Sequence, residues 1–375
     1  MSEGNEAGVE WALEYRGLDA TDGAAGNNIL FKGARFQPLD YGTLASARLD
    51  QPLTIPIDIH AQVQSTDIEG VEPGHFARTR ASLQTPFTSC AIGLVPGGWL
   101  PSLIAATFNK AVVLLDRNIV TEVIGRFESG AARRTRQPDF LDLFEGQPIT
   151  INPILSVLEG ELKRSPTSAE IDRDLSQTVA KLRRALPKAI LIHSDQTSAG
   201  IVQIIDQTRD PMARKQAFLL RMAPLLASPI SRKNRDAVRR EILIAADHTG
   251  VDRNSMVVLA ALSIAAVPKA RSPAKGLLKF KPGYDAGDAY NALADIRSLE
   301  ILIKLFAAYP DQPVQFCTAD RPLALFWTAI RASNFRDGPD GPTFDMDPVE
   351  ALMPDQETDW RERLLEALPK ALAAS

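Results

Sequence analysis

The sequence predicts an α/β protein in which helices flank a central parallel sheet, with a large helical insertion and an amino-terminal extension rich in strands. The run at residues 111–115 is continuous in apolar residues, which suits a strand buried on both faces of a parallel sheet. Strand and helix signals alternate on both sides of a block, at about residues 164–283, in which apolar residues mostly follow helical spacing. Such alternation is typical of a parallel sheet covered by helices.

The composition is that of an ordinary globular protein. Of 375 residues, 45% are hydrophobic and 23% are charged, and the net charge of −4 does not by itself indicate a nucleic-acid-binding protein. The two cysteines, Cys90 and Cys317, lie far apart, which argues against a disulfide framework or a structural zinc site. No segment reaches the roughly 18 apolar residues of a membrane span, and residues 1–6 are acidic where a secretory signal is basic. We therefore expect a cytoplasmic protein that has no membrane partner.

Residues 1–108 are predicted to form an accessory region of strands and loops. Residues 53–64 alternate apolar and polar side chains as a half-buried strand does, and residues 28–31 are typical of a second strand. Glycines and prolines interrupt the rest of the region, and a turn at residues 95–98 precedes a short helix near 100–108.

Residues 109–335 are predicted to form the α/β domain, which contains the helical insertion. Asn152 and Pro153 make a good helix start, because proline at the first helical position loses no needed hydrogen bond. Residues 336–375 are predicted to form an acidic tail with a terminal helix at 360–372. The other expected elements are helices at 118–127, 168–186, 211–226, 233–249, 254–266, 287–308 and 321–333, a strand at 314–318, a strand or helix end at 189–193 and a loop at 270–283.

Two aspartates, Asp116 and Asp320, directly follow predicted strands. Ligands of parallel sheets sit beyond the carboxyl ends of the strands, so these two carboxylates converge if their strands are neighbours. The helix at 287–308 can bring Asp288, Asn291 and Asp295 to one face, because residues three, four and seven positions apart align.

A further acid, Glu159, follows on the helix that begins at Asn152. Carboxylates that are held close together repel one another unless they share a cation. Mg²⁺ and Mn²⁺ prefer oxygen ligands of this kind. The pattern of acids therefore predicts a site for Mg²⁺ or Mn²⁺.

Four short motifs in the chain resemble those of one family in order and in flanking chemistry. They are LLDRNIV at 114–120, VLE at 157–159, NALAD at 291–295 and FCTADR at 316–321. Together they resemble the PIN-like metal-dependent nucleases, in which an aspartate ends the first strand and a threonine precedes the last aspartate. The resemblance covers roughly residues 110–163 and 284–333.

The resemblance implies a nuclease that hydrolyses phosphodiester bonds, with RNA as the favoured nucleic-acid partner. Asp116, Asp295 and Asp320, with help from Glu159, would hold one or two divalent ions that activate water. The groups expected to assist them are Asp288 as a further metal ligand, Asn118, Thr318 and Asn291 as groups that orient the carboxylates, and Arg321, Arg232, Arg235 and Arg239 as contacts to substrate phosphate.

Simpler explanations exist for each of these residues. Asp116 and Asp320 are both good helix N-caps, and Asp288 suits the positive end of its helix. Glu159 could face solvent, with Glu161 or Glu122 taking its place, and basic runs usually form solvated helix faces.

Two other functions therefore compete with the nuclease. One is a catalytically inactive PIN-like binding or scaffold protein. The other is a helical regulatory protein whose acids are only caps, which requires Asp116 and Asp320 to lie far apart.

Overall fold

The structure is a computed structural model that describes residues 12–18, 25–133, 135–159, 164–267, 272–339 and 341–354. The strands are, in chain order, β1 (Ala12–Leu18), β2 (Ala25–Phe36), β3 (Thr54–Thr66), β4 (Phe76–Gln84), β5 (Ile92–Val95), β6 (Gly98–Pro101), β7 (Val112–Leu115), β8 (Phe127–Glu128), β9 (Ala131–Ala132), β10 (Thr150–Asn152), β11 (Ile190–Leu191), β12 (Val314–Thr318), β13 (Ser333–Arg336) and β14 (Thr343–Asp345). The α-helices are α1 (Tyr41–Ser46), α2 (Ser102–Phe108), α3 (Arg117–Arg126), α4 (Ile154–Glu159), α5 (Ser168–Ala185), α6 (Asp195–Leu226), α7 (Arg235–Thr249), α8 (Met256–Ala266), α9 (Pro273–Leu278), α10 (Ala286–Ala308) and α11 (Arg321–Ile330), with short 3₁₀ helices at Phe140–Phe144 and Arg232–Asn234.

A six-stranded sheet in the order β11-β10-β7-β12-β5-β6 forms the centre of the fold. The pairs from β11 to β12 are parallel, whereas β5 runs antiparallel to β12 and β6 runs antiparallel to β5. Every residue of β12 is buried, as expected for a strand covered on both faces. The predicted α/β class with a mostly parallel sheet and flanking helices is therefore confirmed.

The central sheet extends across the predicted boundary at residue 109. Residues 92–101 form β5 and β6, and β5 pairs with β12 through Phe316 and Leu94. Both strands are buried along their whole length, so they lack the alternation that marks a half-buried strand. Gly93 permits the close pairing, because a Cβ at this position would lie 2.2 Å from the side chain of Gln315. The turn at 95–98 thus joins two strands of the sheet and does not merely precede a helix.

A second sheet of four antiparallel strands, in the order β1-β2-β3-β4, carries the amino-terminal region. Alternate residues of β3 are buried and exposed, as its sequence predicts. The buried row packs into the same hydrophobic core as the central sheet. Phe36 of β2 meets Phe108 of α2 with ring centroids 4.8 Å apart, and Leu39 pairs with the buried Trp99 of β6.

The helices mostly match their predicted positions, with two corrections. The segment expected to start near 211 is the second half of the 32-residue helix α6, which contains Pro211 in its interior. A proline in the sequence usually indicates a helix start. Pro211 lacks a backbone N–H, but a long helix that is packed on one side can tolerate that one missing donor. The expected loop at 270–283 contains α9, whose first residue is Pro273.

The remaining elements concern the carboxyl-terminal part of the chain. β13 and β14 form a small antiparallel hairpin there. The terminal helix expected at 360–372 lies outside the described residues. Among the helices that are described, none is both long enough and apolar enough to cross a membrane.

Candidate functional site

Asp116 and Asp320 lie side by side at the carboxyl ends of two neighbouring strands. β7 and β12 are adjacent and parallel, and the Asp116 N–H donates to the Cys317 carbonyl at 2.9 Å. Both strands are largely buried, and their register pairs Leu115 with Cys317, so the two strands end at the same edge of the sheet. The prediction that the two acids are far apart, on which the helical regulatory hypothesis depends, is therefore wrong.

Thr318 joins these two acids through its hydroxyl group. This residue is fully buried at the end of β12, and its Oγ1 donates to Asp116 Oδ2 at 2.8 Å. The same oxygen accepts a hydrogen bond from the Asp320 N–H at 3.0 Å. Thr318 thus fixes one carboxylate directly and the backbone of the other.

The two aspartates use their helix-cap positions differently. Asp116 occupies the N-cap position of α3, but its side chain makes no capping hydrogen bond. Asp320 does cap α11, because its Oδ1 accepts from the Leu323 N–H at 2.9 Å. Its Oδ2 lies 3.2 Å from Lys279 Nζ, at the end of α9. The simple capping explanation therefore holds for one oxygen of Asp320 and does not account for the Asp116 side chain.

Glu159 reaches Asp116 from the end of α4. Burial, the negative charge of Asp116 and a hydrogen bond with Asp116 together raise the pKa of Glu159 to about 8, while Arg117 opposes the rise. The carboxyl group of Glu159 therefore keeps its proton to a higher pH than a free glutamate does, and it is hydrogen-bonded to Asp116. Its predicted competitor Glu122 instead pairs with Arg126 and Arg136, and Glu161 lies outside the described residues.

Asp295 completes the group from the middle of α10. Burial raises its pKa well above the usual range, and the charge of Asp320 adds to the rise. The charges of Asp116 and Glu159 act in the same direction, whereas Lys279 opposes them. We refer to Asp116, Glu159, Asp295 and Asp320 as the four-acid site, because each influences at least one of the others.

Two side chains of α10 hold the end of α4 in place. The buried Arg297 donates from Nη2 to the Leu158 carbonyl at 2.6 Å, and the Tyr290 hydroxyl donates to the Glu159 carbonyl at 3.4 Å. These bonds satisfy two carbonyls in the last described turn of α4. They also fix Glu159 relative to Asp295, since both bonds start from the helix that carries Asp295.

The donor set of the four-acid site consists of carboxylate oxygens and suits Mg²⁺ or Mn²⁺ better than zinc. Two of the acids have raised pKa values because they are buried and because they lie near other carboxyls, and a bound cation would offset the repulsion between them. As the side chains stand, however, no three His, Cys, Asp or Glu residues within the described ranges are grouped closely enough to hold a metal ion. In the described structure the hydrogen bond between Glu159 and Asp116 and the ion pair between Lys279 and Asp320 reduce the repulsion among the acids.

Asp288 and Arg321 have partners other than those predicted. Asp288 forms a capping box with Asp285 at the start of α10 and an ion pair with Lys281 at 2.8 Å, two helical turns before Asp295. Arg321 Nη2 donates to the carbonyls of Leu44 and Ala45, at 2.9 and 3.0 Å. That guanidinium therefore anchors α1 to α11, because the carbonyls at the end of a helix need external donors.

The other predicted residues surround the site or lie elsewhere. Asn118 and Asn291 are exposed, in the first turn of α3 and on α10. The basic residues Arg232, Arg235 and Arg239 belong to the 3₁₀ helix at Arg232–Asn234 and to α7, which packs against α6 and α8. Arg235 and Arg239 are partly buried and interact within the protein, so they do not form a simple solvated face.

Sequence reasoning missed two residues of the site, Lys279 and Arg297. Lys279 lies in the segment expected to be a loop, where no pattern predicts that a lysine pairs with an acid. Arg297 lies among the polar residues Asp295, Ser298 and Glu300 of α10, so no local pattern marks it as a buried, bonded group. A cavity of about 560 Å³ lies away from the acids, lined by α1 and the residues that lead into β3.

Comparison of the chain with protein families, with curated proteins and with solved structures finds no match in any of the three.

Proposed function

We propose that this protein is a divalent-metal-dependent nuclease that hydrolyses phosphodiester bonds, with RNA as the favoured substrate and a PIN-like arrangement of the sheet. The observation that carries the proposal is that four acids brought together by β7, α4, α10 and β12 influence one another at one edge of the sheet, where the Thr318 hydroxyl bonds the Asp116 carboxylate and the Asp320 N–H. Such a group of acids destabilises the fold through repulsion and burial, and perturbed acids of this kind cluster at functional sites.

The chain's own residues would divide the work as follows. Asp116, Asp295 and Asp320, with Glu159, would hold Mg²⁺ or Mn²⁺, which when bound supplies Lewis acidity and lowers the pKa of water. Thr318 orients Asp116, and Arg297 orients the end of α4 that carries Glu159.

Glu159 and Lys279 add orientation and charge to this scheme. Glu159 hydrogen-bonds Asp116, so its carboxyl group can help to orient Asp116 beside the ion or beside a water molecule. Lys279 is largely exposed and paired with Asp320, so its ammonium can turn toward a phosphate group at the same edge of the sheet.

The test is cleavage of single- and double-stranded RNA and DNA by the full chain, with Mn²⁺, Mg²⁺ or EDTA. We expect metal-dependent cleavage by the parent protein and loss of at least about 100-fold in Asp116→Asn and in Asp320→Asn. Asp285→Asn is the matched control, because Asp285 caps α10 as Asp320 caps α11 but contacts none of the four acids in the described structure. Unchanged cleavage in both site variants would refute the assignment.

The second candidate is a catalytically inactive PIN-like binding or scaffold protein. It is favoured by the contacts that already reduce the repulsion among the acids, which are the hydrogen bond between Glu159 and Asp116 and the ion pair between Lys279 and Asp320. Calorimetric titration with Mn²⁺ separates the two functions. If the protein is the proposed nuclease, the titration should show heat of Mn²⁺ binding in the parent, and Asp116→Asn should reduce that heat. If it is a scaffold, neither protein should show metal-dependent heat.

A further inference from the structure

The outer face of the amino-terminal sheet carries an exposed aromatic ring among basic side chains. We define the outer sheet face by its residues on β2, β3 and β4, which are Lys32, Arg35, His60, Phe76, Arg78 and Arg80. The opposite face of the same sheet packs into the hydrophobic core. None of these six residues belongs to the four-acid site.

The strand register aligns the six residues in neighbouring rows. Arg35, His60 and Arg78 form one row across β2, β3 and β4. Lys32 pairs with Gln62, which in turn pairs with Phe76, so these form the next row. Because paired residues of adjacent strands point to the same face, both rows face outward with the exposed residues of β3.

A bulge at Gly33 makes this alignment feasible. Lys32 and Arg35 are three residues apart, which in a regular strand would place them on opposite faces. The register shifts between these two residues, and Gly33 adopts a φ of +59°, which suits glycine. The extra residue therefore brings both cations to the outer sheet face.

Phe76 is 84% exposed, although a phenylalanine normally gains free energy from burial. It stands on the outward row of β4, where Arg78 and Arg80 follow at intervals of two residues and are also exposed. Ala77, between Phe76 and Arg78, and Leu83, further along β4, face inward and pack against the core. The ring is thus presented to solvent by a strand that is itself firmly anchored.

The charge of the outer sheet face is positive although the whole chain has a net charge of −4. Arg80 makes a bidentate pair with Asp58, at 2.8 and 2.9 Å, Glu14 of β1 is exposed, and the connection from β3 to β4 carries Asp67, Glu69 and Glu72. Arg80 lowers the pKa of Asp58, and Arg78 and His60 act in the same direction. Arg35 and Arg78 have no hydrogen bond or salt bridge to another residue in the described part of the chain.

We propose that the outer sheet face binds a single-stranded segment of the RNA, with a base stacked on Phe76 and phosphates on Lys32, Arg35 and Arg78. This inference rests on the proposed nuclease function and specifies where the enzyme holds its substrate away from the cleavage site. Neighbouring strands are about 4.8 Å apart, so the row from Lys32 to Phe76 spans roughly 10 Å, which brings ring and cation within reach of one nucleotide and its neighbour. Stacking on an exposed ring beside cations is how proteins hold single strands without reading their sequence.

The test is fluorescence anisotropy of a short fluorescein-labelled oligouridine with the full chain carrying Asp116→Asn, in EDTA, so that cleavage cannot alter the probe. We expect Phe76→Ala to weaken binding about 10-fold, a loss typical of one stacked base. Arg78→Ala should also weaken binding and should reduce the slope of log affinity against log salt by about 0.7, the contribution of one phosphate contact on a single strand. Matched controls are Tyr309→Ala, which removes another exposed ring, and Lys304→Ala, which removes an exposed cation of α10.

Each result supports or overturns the inference. Weaker binding in both outer-face variants with unchanged controls supports it, and an oligothymidine probe then shows whether the sugar matters. Binding that is unaffected by Phe76→Ala and Arg78→Ala overturns it, even if the parent chain cleaves RNA. A dimer in sedimentation that Phe76→Ala dissociates also overturns it, because the face would then be covered by a second copy. Cleavage tests the proposed function, and probe binding tests this inference. Asp116→Asn should lose cleavage and keep binding at the outer sheet face, so the two claims can fail separately.

Discussion

Replacing Glu159 with glutamine is expected to stabilise the metal-free protein at alkaline pH. The folded protein raises the pKa of Glu159 from 4.5 to about 8, so the folded state holds a proton that the unfolded state releases between these values. Stability from this group is therefore fully present below about pH 4.5 and is lost as pH rises through about 8.

The size of the effect follows from the same shift. At about 1.4 kcal/mol for each pKa unit, the alkaline penalty has a ceiling of about 5 kcal/mol, and the hydrogen bond between Glu159 and Asp116 makes this a property of the pair. Glutamine keeps a neutral, hydrogen-bonding group in the same place at every pH. We expect Glu159→Gln to melt about 3 to 6 °C above the parent near pH 9, since about 1 kcal/mol corresponds to about 1.3 °C in a chain of this length.

The assay is thermal unfolding in EDTA near pH 5 and near pH 9, followed by circular dichroism. Near pH 5 the two proteins should melt together, because Glu159 is then protonated in the folded parent. Glu128→Gln serves as the control, since the Glu128 side chain is 73% exposed and pairs only loosely with Arg133. If the difference in melting temperature between Glu159→Gln and the parent is the same at both pH values, the assigned rise in the pKa of Glu159 is wrong.

Three further predictions concern other residues. Thr318→Val should reduce kcat/KM about 10- to 100-fold, because both neighbouring acids lose their shared hydroxyl. Thr318→Ser keeps a hydroxyl and should retain most of the parent kcat/KM. Equal activity in the valine and serine variants would contradict this role of the hydroxyl. Arg297→Met should lower the urea midpoint by the equivalent of about 1–3 kcal/mol, since the Leu158 carbonyl at the end of α4 loses its buried donor; an unchanged midpoint would remove Arg297 from that role. Glu170→Gln should show the opposite pH dependence to the Glu159 variant, because the Arg164 guanidinium lowers the pKa of Glu170 to about 2. The variant should melt below the parent at neutral pH, and the two melting temperatures should converge as pH falls toward 2. A difference that stays constant with pH would argue against the ion pair.

The sequence carried enough information to predict the positions of Asp116 and Asp320. Each follows a short, mostly apolar run that is typical of a buried strand, and adjacent parallel strands end at the same edge of a sheet. Asp295 was predictable only as one of several polar residues on a helix, because helical spacing does not say which turn faces the sheet. The structure distinguishes them, since Asp288 caps the start of α10 and Asp295 lies near Asp320.

Long-range partners explain what sequence reasoning could not reach. Lys279 meets Asp320 across 41 positions, and Arg297 meets Leu158 across 139. Neither pair has a local pattern, because hydrogen bonds between distant segments depend on how the elements pack and not on spacing along the chain. The short strands β5 and β6 were missed for a related reason, as they are buried on both faces and too short to show periodicity.

The antiparallel pairing of β5 with β12 sets a limit on how this chain can be shortened. A fragment that starts at residue 109 would lack β5 and β6 and would leave one side of β12 with unsatisfied backbone groups directly beneath Asp320. Uncovered strand edges of this kind recruit other chains, so the fragment would precipitate or form intermolecular sheets. The smallest piece that keeps the central sheet intact must therefore begin before Ile92.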